Sequence, residues 1–242
     1  MGNKTVLITG AAKRIGAAIA NLLHQADMDI IIHHNTSVDE ADELVNKLNK
    51  VRPESAITVQ ADLEQHESYS SLISNAIEFN GKIDVLINNA SAFYPTPVDQ
   101  LNDSQWNEII NINLKAPLFL SQLAAKSIAE NKGCIINIAD IHANKPLKDH
   151  PVYSLSKSGL ITLTQSLAKE LAPAIRVNAI SPGAITWPDN MNEELKKNIL
   201  QHTALKKTGC MEDISKAVLF LINDADYITG QVLNIDGGRT IY

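Results

Sequence analysis

Short, almost wholly apolar runs alternate with longer amphipathic stretches along all 242 residues, and that alternation limits the fold more than any other feature. Lys4 to Thr9 is a β-branched run closed by Gly10, as a strand buried on both faces requires. Arg14 to Ala26 follows with Ile15, Ala18, Ile19, Leu22 and Leu23 at helical spacing. Asp29 to His33 carries three consecutive isoleucines and predicts a second strand. The pattern then predicts a helix over 38–51, a strand over 56–60, a helix over 67–79 and a strand over 83–87. A long helix over 104–130, with Ser104 as its N-cap, precedes a strand over 134–138. Pro151 to Leu171 reads as a helix stopped by Pro173, and 175–180 as a strand closed by Ser181-Pro182-Gly183. Trp187 to about Lys207 is polar with weak periodicity and reads as a mobile segment. A helix over 211–223 and a strand over 231–235 finish the chain. Such alternation argues an α/β fold with right-handed crossovers: one doubly wound domain over 1–242, a parallel sheet of about seven strands, and helices on both faces. A ligand crevice is then expected beyond the carboxyl ends of the strands, where strand order reverses.

Composition narrows the partners. At 45% hydrophobic residues the chain can bury one large core. Lys+Arg 21 against Asp+Glu 27 leaves a net charge of -6, which favours neither nucleic acid nor an anionic membrane. Cys134 and Cys210 make no metal-type spacing, so no metal site is expected, and a reducing cytoplasm fits. No apolar run approaches the ~18 residues of a membrane span. The strand expected at Thr5 follows the first residues directly, so no signal peptide is expected.

The chemistry-bearing residues fall at strand ends. Thr9-Gly10-Ala-Ala-Lys13-Arg14-Ile15-Gly16 joins the first strand to the first helix, where glycines let backbone approach a pyrophosphate seated on a helix N-terminus. The second strand ends Ile32-His33-His34-Asn35-Thr36-Ser37 with no carboxylate before Asp39. A carboxylate there would hold a ribose 2′-hydroxyl and repel a 2′-phosphate, so its absence favours NADP over NAD. Lys13, Arg14, His33, His34, Asn35, Thr36 and Ser37 are the candidate donors. Asp62, before Leu63, can accept from an adenine amino group or cap a helix. Asn88-Asn89-Ala90 ends the fourth strand at mid-crevice. Asn113 can hold a water or brace backbone near Lys157. Tyr153 and Lys157 lie four apart, on one helix face. A lysine ammonium beside a phenol is expected to lower its pKa from ~10 and make it a usable proton donor.

The ordered set TGxxxxxG, NNA, Asn113, YxxxK and Pro182-Gly183 resembles the short-chain dehydrogenase/reductase family along the whole chain. The resemblance implies a Rossmann-type fold, hydride transfer from a nicotinamide, catalytic roles for Asn113, Tyr153 and Lys157, and often a homotetramer. The chain departs from the family where its catalytic Ser usually stands, because that position is Asp140, between Ala139 and Ile141. Arg14 stands where a second Gly is usual, and can contact phosphate or reach the active site. Together with the run Asn89-Ala90-Ser91-Ala92-Phe93-Tyr94-Pro95-Thr96-Pro97, these resemble the pteridine reductase branch. That likeness implies a substrate ring stacked on Phe93, Ser91 on its polar edge, and Arg14 reaching both cofactor and substrate. The chemistry agrees: reducing C=N in a pterin leaves a ring nitrogen needing a proton, which Asp140 can relay directly or through water. The leading expectation is therefore an NADPH-dependent pteridine reductase acting on a dihydropterin or dihydrofolate, and on oxidised pterins if the site admits them. Its rivals are a carbonyl reductase of the same fold, acting on 3-oxoacyl thioesters or ketones, and a non-catalytic NADP-binding protein. The segment 184–207 is expected to be less ordered and to close over substrate.

Overall fold

The computed structural model describes residues 3–187 and 191–241. The first strand, β1 (Thr5–Ile8), runs into helix α1 (Arg14–Gln25), and the alternation continues through β2 (Asp29–His34), α2 (Val38–Val51), β3 (Ala56–Gln60), α3 (Ser68–Asn80) and β4 (Val85–Asn88). The second half holds α4 (Asp103–Ile110), α5 (Ala116–Glu130), β5 (Cys134–Ile138), α6 (Pro151–Glu170), β6 (Arg176–Pro182), α7 (Glu193–Gln201), α8 (Met211–Asn223) and β7 (Val232–Ile235). The strands form one seven-stranded sheet in the order β3-β2-β1-β4-β5-β6-β7, every pairing parallel. Strand order reverses between β1 and β4, which opens the expected crevice at their carboxyl ends.

Two-residue periodicity splits each strand between two cores. Val6, Ile8, Ile30 and Ile32 pack against Ile19 and Leu23 of α1 and Ile214, Val218 and Leu221 of α8. Leu7 and Ile31 face the other way, onto Leu72 of α3 and Leu120, Ala124 and Ile128 of α5. The three consecutive isoleucines of β2 thus serve opposite faces, which is why the run shows no polar alternation.

Two expectations are corrected. The long helix over 104–130 is three pieces. α4 starts at Asp103, and its cap is Asn102 rather than Ser104: the Asn102 side chain accepts from Gln105 N, and Gln105 answers with a capping box. A π-helical turn, Asn111–Lys115, then separates α4 from α5. Pro117 explains the break, since an α-helical continuation would drive its ring into the carbonyl four residues back. Second, the polar stretch after Trp187 contains α7. None of its residues is buried. It rests on local effects: Asn192 caps it through Glu194 N at 2.8 Å, and Glu193 and Glu194 complement the first turn. A helix built this way leaves no apolar stripe to read. The rest of the expected mobile segment includes 188–190, which lie outside the described residues.

Among the described residues no helix is long and apolar enough to cross a membrane, and no cluster of His, Cys, Asp or Glu could hold a metal.

Below the crevice the sheet is stitched by buried amides. Asn88 Nδ2 donates to Asn137 Oδ1 at 2.8 Å, and Asn137 Nδ2 donates to Thr164 Oγ1 at 2.9 Å. Asn137 is wholly buried, so truncating it leaves Asn88 Nδ2 with only a long 3.5 Å contact to Ser121 Oγ. Asn137→Ala should lower stability by about 2–3 kcal/mol, seen as a lower urea midpoint at unchanged m. An unshifted midpoint would remove this chain of amides from any account of stability.

Candidate active site

The loop after β1 is shaped by two close approaches. Gly10 has φ 60, and a Cβ on it would lie 2.9 Å from Ala90 Cα. A Cβ on Gly16 would lie 2.6 Å from Asn89 Nδ2 and 2.7 Å from the Gly10 carbonyl. Thr9 binds the two strand ends. Its hydroxyl accepts from the backbone N–H of Asn89 at 2.9 Å and of Ala90 at 3.0 Å. Asn89 Nδ2 returns bonds to the Thr9 and Gly10 carbonyls at 2.8 and 3.0 Å. α1 begins at this loop with no side-chain cap and no acid in its first turn, which leaves its first N–H groups for an anion. Ile15 packs on the core beneath. Arg14 is exposed and sits at φ 52, a left-handed conformation that glycine adopts freely and arginine does not.

His33 is corrected from phosphate donor to buried brace. It is 2% exposed. Gly10 N donates to its Nδ1 at 3.0 Å, so Nδ1 carries no proton and the Nε2–H donates to the Ala61 carbonyl at 3.1 Å. Burial pulls its pKa down to about 4, with neighbouring His34 adding to the effect against the Ala61 bond and Asp62. His34 is buried too, but its Nδ1 has no hydrogen-bond partner among the described residues. It lines a cleft of about 150 Å³ with Gly10, Ala12, Lys13, Asn35, Thr36 and Ser37. No carboxylate lines this cleft. One stands beside it: Glu40, in the first turn of α2, holds Lys13 Nζ at 2.6 Å. Ser37 occupies the N-cap of α2 without making a cap bond. Asn35 accepts from Gln60 Nε2 at 2.9 Å. Asp62 takes the turn-forming option, accepting from Glu64 N at 3.0 Å. Leu63 is buried, and its carbonyl accepts from the Tyr69 hydroxyl at 2.8 Å. A glycine cradle, open helix N–H groups and an unpartnered buried imidazole together fit a dinucleotide phosphate.

Asn113 sits in the π-helical turn and braces both the loop after β4 and, through Ser156, the helix turn beside Lys157. Its Oδ1 accepts from Ala92 N at 2.8 Å. Its Nδ2 donates to the Ala92 carbonyl and to Ser156 Oγ, both at 3.0 Å. The amide clamp aims Phe93, which stays 51% exposed. The Phe93 ring lies 4.9 Å from His150, nearly parallel at 14°, and 4.7 Å from Tyr153, edge-on. Ser91 beside it is exposed.

At the end of β5, Asp140 meets Tyr153. The phenol donates to Asp140 Oδ2 at 2.8 Å, while Oδ1 accepts from His142 N at 2.8 Å. Lys157 is buried, donates to the Ile138 carbonyl at 2.9 Å and lies 5.7 Å from the Tyr153 ring centre. The expected activation of the phenol is therefore reversed. Burial, then the Asp140 charge and its hydrogen bond, push the Tyr153 pKa well above 10. Lys157 is itself pulled down to about 8 by burial, against the pull of Asp140. The Tyr153 group is a neutral donor held on a carboxylate. Pro182 pairs with Ile235 at the sheet edge, and Gly183 is pressed on Asp236, where a Cβ would lie 2.7 Å from its Cα.

The crevice thus gathers Gly10, Lys13, Arg14, Asn89, Ala90, Asp140, Tyr153, Lys157 and Pro182 at one sheet edge. Sequence reasoning assigned no role to Thr9, Ser156 or His150. Thr9 stood in the glycine motif as its first letter, and His150 directly before the helix-starting Pro151. Nothing in the one-dimensional pattern marks Ser156 as the link between Asn113 and Tyr153, whose carbonyl it donates to at 2.7 Å.

Comparison with known proteins bears on the family. A family profile described as enoyl-(acyl carrier protein) reductase, of the short-chain dehydrogenase type, matches residues 10–240. Pteridine reductase 1 of Leishmania tarentolae is 34% identical, over 97% of this chain and 96% of its own. A 3-oxoacyl-(acyl-carrier-protein) reductase FabG of Rickettsia felis is 38% identical, over 97% and 96%. Glucose 1-dehydrogenase 2 of Bacillus subtilis (strain 168) is 32% identical, over 99% and 95%.

The buried imidazole generates a pH test. Folding suppresses protonation of His33, so between pH 6.5 and about 4 the unfolded chain binds the extra proton and stability falls as pH drops. Above pH 6.5 this contribution is complete. Moving from pH 7 to 5, the wild type should lose about 2 kcal/mol more than His33→Gln. Parallel urea-unfolding profiles for the two proteins would show that His33 is not buried neutral.

Proposed function

Since the chain belongs to the short-chain dehydrogenase/reductase family, whose members are oxidoreductases using a nicotinamide cofactor, we propose that it is an NADPH-dependent pteridine reductase. Its substrate is a dihydropterin or dihydrofolate, taken to the tetrahydro form. The observation that carries this reading is the 2.8 Å bond from Tyr153 to Asp140, a carboxylate where the family usually has a hydroxyl. Hydroxyl donors suit the oxyanion of a reduced ketone. An acid that can release a proton suits the nitrogen of a reduced imine.

In this reading the cofactor lies along Gly10, Arg14, Ile15, Asn89 and Ala90, with its 2′-phosphate in the cleft of Lys13, His34, Asn35, Thr36 and Ser37. Asp62 and Leu63 border the adenine, and Pro182 and Gly183 border the nicotinamide. When bound, that group supplies the hydride. Asp140 relays a proton from solvent to the ring nitrogen, directly or through water. The Tyr153 phenol donates to the Asp140 carboxylate, a charge-assisted bond that is restored once the relay has passed its proton on. Lys157 sets the local positive field and holds the nicotinamide ribose. Asn113 keeps Phe93 aimed, and Phe93 with Ser91 and Arg14 receives the flat ring. The segment 184–207 covers the substrate, and the enzyme works as a single-domain protomer of a cytoplasmic homotetramer.

The cleft lacks a lining carboxylate, so NADPH should bind at least about tenfold more tightly than NADH at low salt, and less selectively as salt rises. Glu40→Gln frees Lys13 and should widen the gap. Equal dissociation constants would end the NADPH assignment. The substrate class is tested by two variants assayed with NADPH on dihydrobiopterin and acetoacetyl thioester. Asp140→Ser should cut dihydropterin turnover by about 10²–10⁴-fold while sparing inhibitor binding. Phe93→Ala should instead raise KM by about 5- to 150-fold, as stacking losses of roughly 1–3 kcal/mol imply. A wild type that reduces the thioester and ignores every dihydropterin is a carbonyl reductase, and this reading is then wrong.

A further inference from the structure

The turn after β7 reaches the same crevice, and no part of the mechanism above uses it. Strand ends β5, β6 and β7 stand side by side: Ala139 N donates to Ile180 O at 2.8 Å, and Gly183 N to Ile235 O at 2.9 Å. Asp140 and Asp236 are therefore about two strand spacings apart, roughly 10 Å along the sheet edge. Asp236 folds the chain back on itself. Its carboxylate accepts from Gly238 N at 2.9 Å, and from Thr240 N and Oγ1, both at 2.8 Å. The outer side of the turn is clasped by the segment after α7: Leu205 N donates to the Gly237 carbonyl at 3.0 Å. Gly238, at φ 79, leaves no room for a side chain, since a Cβ would lie 2.7 Å from Ala204 Cβ.

This tight turn presents one functional side chain, Arg239. It is partly buried. Among the described residues its guanidinium makes no hydrogen bond and no ion pair within bonding distance, although it lies in the fields of Asp140 and Asp236. Burial is the larger influence and weakens its basicity, while the two carboxylates offset part of that effect. A guanidinium carries five donors and no acceptor. One that is partly desolvated, unbonded among the described residues and in the field of Asp140 lacks an acceptor that a ligand can bring.

We propose that Arg239 is a substrate-binding residue, donating to an acceptor oxygen of the bound substrate, either on its ring or on a carboxylate tail. This deepens the pteridine reading and rests on it.

The test measures NADPH-supported turnover of dihydrobiopterin and dihydrofolate by wild type, Arg239→Met and Gly238→Ala. Loss of one charge-assisted contact predicts that Arg239→Met raises KM by about 10- to 150-fold. NADPH affinity and thermal midpoint should stay at wild-type values, and Arg239→Lys should recover part of the loss. Equal losses on both substrates place the contact on the ring, and a loss confined to dihydrofolate places it on the tail. Gly238→Ala displaces the turn and should raise KM similarly, with nothing further lost when the two changes are combined. A wild-type KM in Arg239→Met overturns the proposal alone. So does a lower thermal midpoint with KM intact, which would make Arg239 a brace for the turn. A wild type that leaves both dihydropterins untouched refutes the pteridine reading, and this proposal with it.

Discussion

Seven strands that run the same way must all stop at one edge, and their last polar groups must find partners there without closing the space a ligand needs. That requirement governs the rest of the molecule. A single hydroxyl, Thr9 Oγ1, accepts from two successive N–H groups after β4. Asn89 returns the connection to the carbonyls after β1. The bonds hold the two halves of the sheet together at the point where strand order reverses. The approach they enforce is close enough that Gly10 meets Ala90 and Gly16 meets Asn89 with no allowance for a Cβ. His33 completes the arrangement from the next strand, satisfying Gly10 N with one nitrogen and Ala61 O with the other. With these backbone groups satisfied from below, the N–H groups at the start of α1 are left facing the crevice.

The same accounting changes the chemistry of Tyr153. Spacing alone suggests a phenol acidified by Lys157, since charges of opposite sign attract. Distance and burial decide otherwise. The ammonium donates to the Ile138 carbonyl and lies 5.7 Å from the ring centre, whereas the carboxylate is in direct contact at 2.8 Å. A negative charge in contact outweighs a positive one farther off, and both groups are desolvated. With a serine at position 140 the phenol would face only the lysine. With Asp140 it is a neutral donor to a carboxylate, so the substitution inverts the role of its neighbour as well as its own.

How much of this was legible in the chain depends on whether a signal is periodic. The sheet, its crossovers and most element boundaries follow from apolar runs such as Asp29 to His34, because burial on both faces leaves a continuous pattern. The break at Asn111–Lys115 was not legible, although Pro117 is its cause, because the helical spacing of apolar residues passes through it unaltered. α7 was missed because it is set by the Asn192 cap and two glutamates rather than by an apolar stripe. Within the site, Gly10, Asn89, Asp140, Tyr153 and Lys157 were found by motif and stand together. Their partners are not legible: His33 reads as a surface donor because a sequence does not say that both adjacent imidazoles are buried, or that His33 finds backbone partners for both nitrogens. Asn113 reaches the neighbourhood of Lys157 through Ser156, but nothing in its spacing signals the grip on Ala92.

Substrate class is the property least accessible to overall similarity here. A pteridine reductase and a 3-oxoacyl reductase match the chain at 34% and 38% identity, each over 97% of it. Discrimination rests on a few side chains, and Arg14 is the most telling, because holding it there opposes folding. At φ 52 it occupies a conformation that is unfavourable for a side chain by roughly 1 kcal/mol and free for glycine. It is exposed, so packing does not compensate, and among the described residues its guanidinium makes no internal bond that would. A loop that needs a left-handed residue, and carries arginine rather than glycine, keeps a strain that folding alone would remove. The natural counterweight is a ligand contact, and Arg14 is the first residue of α1, at its open N-terminus. A ketone on a flexible thioester needs no such group. A flat ring with several fixed acceptors does, and that asymmetry favours the pteridine reading over its rival.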